Sequence, residues 1–336
     1  MAERGAVLPR FVVVGQGKAG TSLLFRRLKG LGEVGLSHPK ELHYFNANLD
    51  KGPDWYASHF AHHAGQADRV VGEVSPSYLR VGLAAEVARV LGRDTKIIFL
   101  LRHPVEQSYS RYLQNLCASA KGGSYSRVMR TLGPRLEKLS AAIGEYYDTF
   151  GAERILPLVF ERDVAGPGEV YLRRVLDFIG LPHLAPASLE REVNSGVMPR
   201  FLFSGGRPLE LTSEGQGYTI PPKTLVFCGQ ERNSRVTREP SQGEVAQALR
   251  QQSGWSTGVS AEEYAFWDAH YVAPFAAGLT ARFGIDLSAW EGRARALSYP
   301  LAPPPAAFRD AARPLVAPGE VAPDEGAPPA RAAKAR

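Results

Sequence analysis

The sequence predicts an α/β protein, a parallel β-sheet flanked by helices on both faces. Three observations predict it. Phe11–Val14 is an apolar run that ends in a glycine-rich turn and leads into a helical pattern. Ile97–Leu101 is a second continuous apolar run, ending in Arg102-His103-Pro104. Runs of this kind suit strands covered on both faces. The alternation of strand-like and helix-like segments then continues to residue 179, as a sheet with crossover helices requires.

Each element follows from its own residues. Val105–Tyr112 reads as a helix with Pro104 near its first turn, where a missing N–H costs nothing. Val81–Leu91 repeats apolar residues at Leu83, Val87, Val90 and Leu91, and Arg135–Phe150 is a second amphipathic helix. Ile155–Glu161 reads as a strand, and Pro157 within it places it near an edge or bulge. Val170–Ile179 is a helix closed by Gly180 and Pro182. Gly-, Ser- and Pro-rich pieces, Ser204–Pro208 and Gly215–Gly217, predict long loops over 183–260. Glu262–Phe283 is a late helix whose aromatic stripe (Tyr264, Phe266, Trp267, Tyr271, Phe275) reads as core. From Ser298 the chain is rich in Pro and Ala and predicts a disordered tail, 298–336, after one domain, 1–297.

The chemistry concentrates in Gly15-Gln16-Gly17-Lys18-Ala19-Gly20-Thr21-Ser22. After a strand, such a loop turns backbone N–H groups toward an anion, and the next helix points its positive end at the same place. Lys18 adds a full charge; Thr21 and Ser22 add hydroxyls. An NTPase loop puts the lysine after the last glycine, whereas here Lys18 precedes Gly20. Arg102 and Ser110 lie at the mouth of the sheet, where a guanidinium fork and a hydroxyl hold phosphate.

Between these loops lie Ser37-His38-Pro39-Lys40-Glu41-Leu42-His43-Tyr44-Phe45, Lys51-Gly52-Pro53-Asp54-Trp55-Tyr56 and Gly72-Glu73-Val74-Ser75-Pro76-Ser77-Tyr78. Over roughly residues 11–115 this order resembles the sulfotransferases that use 3′-phosphoadenosine 5′-phosphosulfate (PAPS), the Golgi-type carbohydrate enzymes of heparan sulfate in particular. The resemblance implies a P-loop-NTPase-like fold and transfer of a sulfuryl group from PAPS to a hydroxyl or amine. It assigns Gly17, Lys18, Ala19, Gly20, Thr21 and Ser22 to the 5′-phosphosulfate, and Arg102 and Ser110 to the 3′-phosphate. Glu41 takes the place of the family's general base, with His43 as its rival. Lys18 would neutralise the leaving oxygen, and no metal is expected. The acceptor implied is a carbohydrate hydroxyl, with a small-molecule or lipid hydroxyl next. A P-loop-like kinase and a non-catalytic nucleotide-binding protein are the readings from other classes.

Three departures stand out. Val74 replaces a lysine that one heparan sulfate branch uses to read its acidic polymer. His103 stands where an acidic residue often follows the arginine. The family's late Lys-Gly-Arg loop is missing; Arg235, with Arg232 and Arg238, is the nearest substitute, and a solvated basic edge is the alternative.

The net charge of +6 suits a multiply charged nucleotide. The basic residues are dispersed and no nucleic-acid-binding signature is present. No apolar stretch reaches the length of a transmembrane helix, and the chain enters its first strand without a secretory leader. The expectation is therefore a cytoplasmic, bacterial protein. Its two cysteines, Cys117 and Cys228, are expected to be free thiols.

Overall fold

The structure is a computed structural model. It describes residues 7–66, 68–119, 125–165, 168–182, 184, 201–204, 207–210, 219–220, 225–227, 255–256 and 258–297. Two compact units emerge. The first comprises Met1–Ser110, Met129–Asn194 and Glu262–Arg295; the second comprises Arg111–Val128, Ser195–Ala261 and Ala296–Arg336.

The first unit is built on a five-stranded sheet. Its strands are β1 (Phe11–Gly15), β2 (Val34–Leu36), β3 (Val70–Val74), β4 (Lys96–Leu101) and β5 (Ile155–Val159). Their order is β2-β3-β1-β4-β5, and every pairing is parallel. Parallel pairing needs crossovers, and these are helices α1 (Thr21–Lys29), α4 (Leu83–Leu91) and α7 (Leu132–Phe150), with short α2 (Tyr44–Ala47) and α3 (Gly52–Ser58) after β2. The expected strands at 11–14 and 97–101 are present, and Pro157 lies on an edge strand, where its missing N–H is tolerated.

Both faces are covered. Leu24 and Leu28 of α1 and Leu172, Val175 and Leu176 of α8 (Gly168–Ile179) pack with Val13, Ile98, Leu100 and Leu158. Side chains alternate along a strand, so Phe99 faces the other way and meets Tyr147 of α7 at 6.5 Å between ring centroids. Tyr147 in turn stacks on Phe283 of the late helices at 4.5 Å. This is the P-loop-NTPase-like α/β architecture that the sequence predicts.

Two expectations are corrected. The fifth strand stops at Val159, not Glu161. Residues Phe160–Val164 coil into a π-turn, because the Asp163 carboxylate accepts the Val159 N–H at 2.6 Å and bonds Arg162 and Arg174. The late helix is divided into α9 (Ala261–Trp267), a π-turn over Asp268–Val272 and α10 (Ala273–Phe283). Pro274 lacks the N–H that regular helix geometry needs there. Of the aromatic stripe, Tyr264 and Trp267 are buried, whereas Phe266 and Tyr271 are exposed.

The second unit contains the rest of α5 (Pro104–Ser119) beyond Ser110 and α6 (Tyr125–Met129), except its last residue. Strands β6 (Phe201–Ser204), β7 (Arg207–Glu210) and β9 (Leu225–Phe227) form an antiparallel sheet, and β8 (Thr219–Ile220) pairs with β10 (Trp255–Ser256). Ser204 opposes Arg207 in this sheet, so the segment expected as a loop is a hairpin there. Gly215–Gly217, Arg232, Arg235, Arg238 and the tail from Ser298 lie outside the described residues. No helix among the described residues is long and apolar enough to cross a membrane.

Candidate active site

All five strands run in one direction, so the loops after β1, β2, β3 and β4 emerge at one carboxyl edge. That edge is where open α/β sheets bind ligands. It carries the residues around Lys18, Glu41, Ser77 and Arg102.

The loop after β1 has the backbone of an anion cradle. Lys18 has φ +70° and Gly20 has φ +97°. Gly20 opens α1 with no side-chain cap. The N–H groups of Leu23 and Leu24 are satisfied by Gly20 O. Those of Thr21 and Ser22 have no acceptor among the described residues, so they are available to a ligand at the positive end of the helix. A Cβ on Gly20 would fall 3.0 Å from Val164 Cγ1, so the space is tight where φ already favours glycine. Ala19 differs from its neighbours: its methyl is buried and its N–H donates to Gln16 O at 3.3 Å.

The corner between β4 and α5 fixes this loop from behind. Arg102 Nη1 donates to Lys18 O at 3.2 Å, and Gln107 Nε2 donates to Gly17 O at 2.8 Å. Arg102 is 12% exposed and lies over the Phe160 ring at 4.5 Å. Its Nε is buried with no partner. Ser110 is half-buried, one turn beyond Glu106 on α5.

Glu106 organises the cations around Arg102. It is 4% exposed. Its Oε1 accepts from Arg293 at 3.0 Å, Arg295 at 3.2 Å and Tyr264 at 3.4 Å, and its Oε2 is 3.6 Å from Arg102. Burial pushes the carboxyl up, but the three arginines outweigh burial and hold it below the usual range. Three guanidiniums thus share the Glu106 carboxylate. His103, the departure noted above, is structural. It is fully buried, with Nε2 on Asp268 at 3.0 Å and Nδ1 on Tyr264 OH at 3.0 Å. Glu161 closes the corner: it accepts the His103 N–H at 2.9 Å and the Trp290 indole at 2.8 Å.

The second group follows β2. Glu41 has φ +62° and His43 has φ +53°. The Glu41 carboxylate pairs with Lys40 and lies 3.8 Å from His43 Nε2. Ser77 Oγ donates to Asn46 at 3.0 Å, so it accepts from His43 Nδ1 at 2.9 Å. That leaves the His43 Nε2 directed at Glu41. Beneath them is Glu73, fully buried, which accepts hydroxyls from Tyr56 at 2.5 Å, Ser75 at 2.6 Å and Tyr78 at 2.7 Å. Tyr78 OH also receives the Tyr44 N–H at 2.7 Å. Burial raises the Glu73 carboxyl, and the hydrogen bonds from Ser75, Tyr56 and Tyr78 oppose it.

The structure thus brings Lys18 together with Arg102, and Glu41 with His43. Sequence reasoning missed Gln107, Glu106, Arg293, Arg295, Lys40 and Ser77. Glu106 sits four residues after Arg102, a spacing that signals an ion pair; its partners at 293 and 295 leave no such trace.

The chain is similar to known proteins over part of its length. The sequence model of the sulfotransferase family matches residues 43–186, which include Glu73, Arg102 and Ser110. The chain is 35% identical over 106 residues to the membrane-associated sulfotransferase kil1 of Dictyostelium discoideum, covering 31% of this chain and 22% of that protein. It is 29% identical over 189 residues to human heparan sulfate glucosamine 3-O-sulfotransferase 3B1, covering 53% of this chain and 47% of that protein. The matches therefore span less than half of either relative. Among solved structures, a sulfotransferase from Alicyclobacillus acidocaldarius superposes with a TM-score of 0.53 at 23% identity, over 84% of this chain and 99% of that one. Over residues 43–186 this chain is similar to the sulfotransferase family, its listed relatives include heparan sulfate sulfotransferases, and its fold is similar to that of a solved sulfotransferase.

Proposed function

We propose that this protein transfers a sulfuryl group from PAPS to a hydroxyl on a carbohydrate. The observation that carries the reading is the anion cradle. The free amides of Thr21 and Ser22, the left-handed Lys18–Gly20 turn and the half-satisfied Arg102 guanidinium converge behind β1 and β4. The groups suit a nucleotide carrying two separate phosphates. Gly17, Lys18, Gly20, Thr21 and Ser22 hold the 5′-phosphosulfate, Ala19 shapes the turn, and Arg102 with Ser110 holds the 3′-phosphate. Arg235 contributes to holding that phosphate.

In the reaction the acceptor oxygen bonds to sulfur as the bond from sulfur to the nucleotide's phosphate oxygen breaks. Glu41 takes the acceptor proton; its ion pair with Lys40 is made by the carboxylate form, the form that accepts one. His43 orients the acceptor beside it. Lys18 neutralises charge on the departing phosphate oxygen, the kind of electrostatic help that dominates such transfers. As proposed, no step of this reaction uses a metal. The carbohydrate acceptor is supported by the name of the heparan sulfate relative.

Incubation with sulfur-labelled PAPS and a panel of oligosaccharides tests this. Label should move to a sugar hydroxyl, and Glu41→Gln should reduce the rate about 10²–10⁴-fold while leaving binding of 3′-phosphoadenosine 5′-phosphate unchanged. Transfer at the wild-type rate in Glu41→Gln would remove Glu41 from its role.

A further inference from the structure

A cavity lies along the outer edge of the sheet, and Ser37 and His38, on the β2 loop that leads to Glu41, line part of it. It has a volume of about 530 Å³, within the range of small-molecule sites. None of its lining residues comes from the β1–α1 loop or the β4–α5 corner. One wall is apolar, formed by Phe25 of α1 and Leu36 of β2. Opposite charges are absent: Lys29 and Arg69 line it, no aspartate or glutamate does, and neither cation has a carboxylate partner among the described residues.

The polar groups are ordered by the edge strand. The outward carbonyl of Leu36, on an edge strand, accepts His63 Nε2 at 3.0 Å in a buried hydrogen bond. Gly35 makes room for that ring, since a Cβ there would lie 2.9 Å from His63 Cδ2. With its proton on Nε2, His63 presents an imine Nδ1 to Arg69 at 3.5 Å. His59 is fixed in the other sense: Nδ1 donates to His38 O at 2.9 Å. Its Nε2 is then a bare acceptor, and it is buried with no partner. Ser37, 3% exposed, also has an unpartnered hydroxyl. Two buried polar atoms without partners are costly unless a ligand completes them.

We propose that this cavity binds a hydroxylated organic anion. The acid group pairs with Arg69 and Lys29 and takes the Ser37 hydroxyl. The ligand's own O–H donates to His59 Nε2, and its apolar body lies on Phe25 and Leu36. The claim does not depend on the sulfotransferase reading.

The probe is 4-hydroxyphenylacetate, titrated into the full chain by calorimetry. It should bind, and wild-type affinity should fall about tenfold or more for phenylacetate, which lacks the hydroxyl, and for 4-hydroxyphenylacetamide, which lacks the charge. His59→Phe should erase the preference for the hydroxyl, and Arg69→Gln the preference for the charge. Arg102→Ala, which disables the nucleotide cradle, should leave the affinity unchanged. Absence of binding, equal affinity for all three probes, or loss of binding in Arg102→Ala would overturn the proposal. Because the analogue series uses the wild-type protein, it decides the matter even if a variant fails to fold.

Discussion

At the scale of single residues, two buried carboxylates do different work. Glu106 is charged and surrounded by guanidiniums, with its carboxyl held below the usual range. A depressed carboxyl stabilises the fold above its unfolded pKa, and that contribution is lost as pH falls through the folded value. Replacing Glu106 by Gln should therefore cost about 2 kcal/mol at pH 7, measured by denaturant unfolding. The difference between variant and wild type should shrink below pH 4.5. A constant difference across that range would contradict the charged assignment. Glu73 has the opposite character. Its carboxyl is raised by burial, and its value to the fold is as an acceptor for three hydroxyls. Glu73→Leu should destabilise by about 2–4 kcal/mol by stranding those donors. Glu73→Gln keeps an acceptor and should cost less. Equal costs would show that charge, not acceptance, is what the site uses.

At the scale of elements, the β1–α1 turn is the most constrained piece of chain. Gly20→Ala meets both φ +97° and the Val164 methyl at 3.0 Å. It should lower stability by about 1–3 kcal/mol and weaken binding of 3′-phosphoadenosine 5′-phosphate by at least tenfold, read by thermal melting and calorimetry. Unchanged binding would remove the turn from the site. This turn was legible in the sequence, because a strand, three glycines and a lysine leave few other geometries. So were β4 and Arg102, where a continuous apolar run ends in a charge. What the sequence hid was long-range or side-chain-driven. The end of β5 is set by Asp163 folding back on Val159. The division of the late helix follows from Pro274. The hairpin of β6 and β7 was masked by its own glycines, which read as loop. Glu106 joins residues 187 and 189 positions away, and no local pattern announces that.

At the scale of the molecule, the parallel sheet is what brings scattered motifs to one edge. Lys18, Glu41, Ser77 and Arg102 are far apart in sequence but follow four strands that end at the same edge. The matched family model begins at His43, so the proposed roles of Lys18 and Glu41 rest on the motif resemblance, to which the turn's geometry and the Lys40–Glu41 pair add support. The measurement that tests the account most directly is calorimetric titration with 3′-phosphoadenosine 5′-phosphate, in parallel with ADP plus Mg²⁺, on wild type and Arg102→Ala. The account predicts metal-free binding of the bisphosphate, stronger than that of ADP, and a loss of at least tenfold in Arg102→Ala. Preference for ADP with Mg²⁺, or equal binding by wild type and variant, would contradict it.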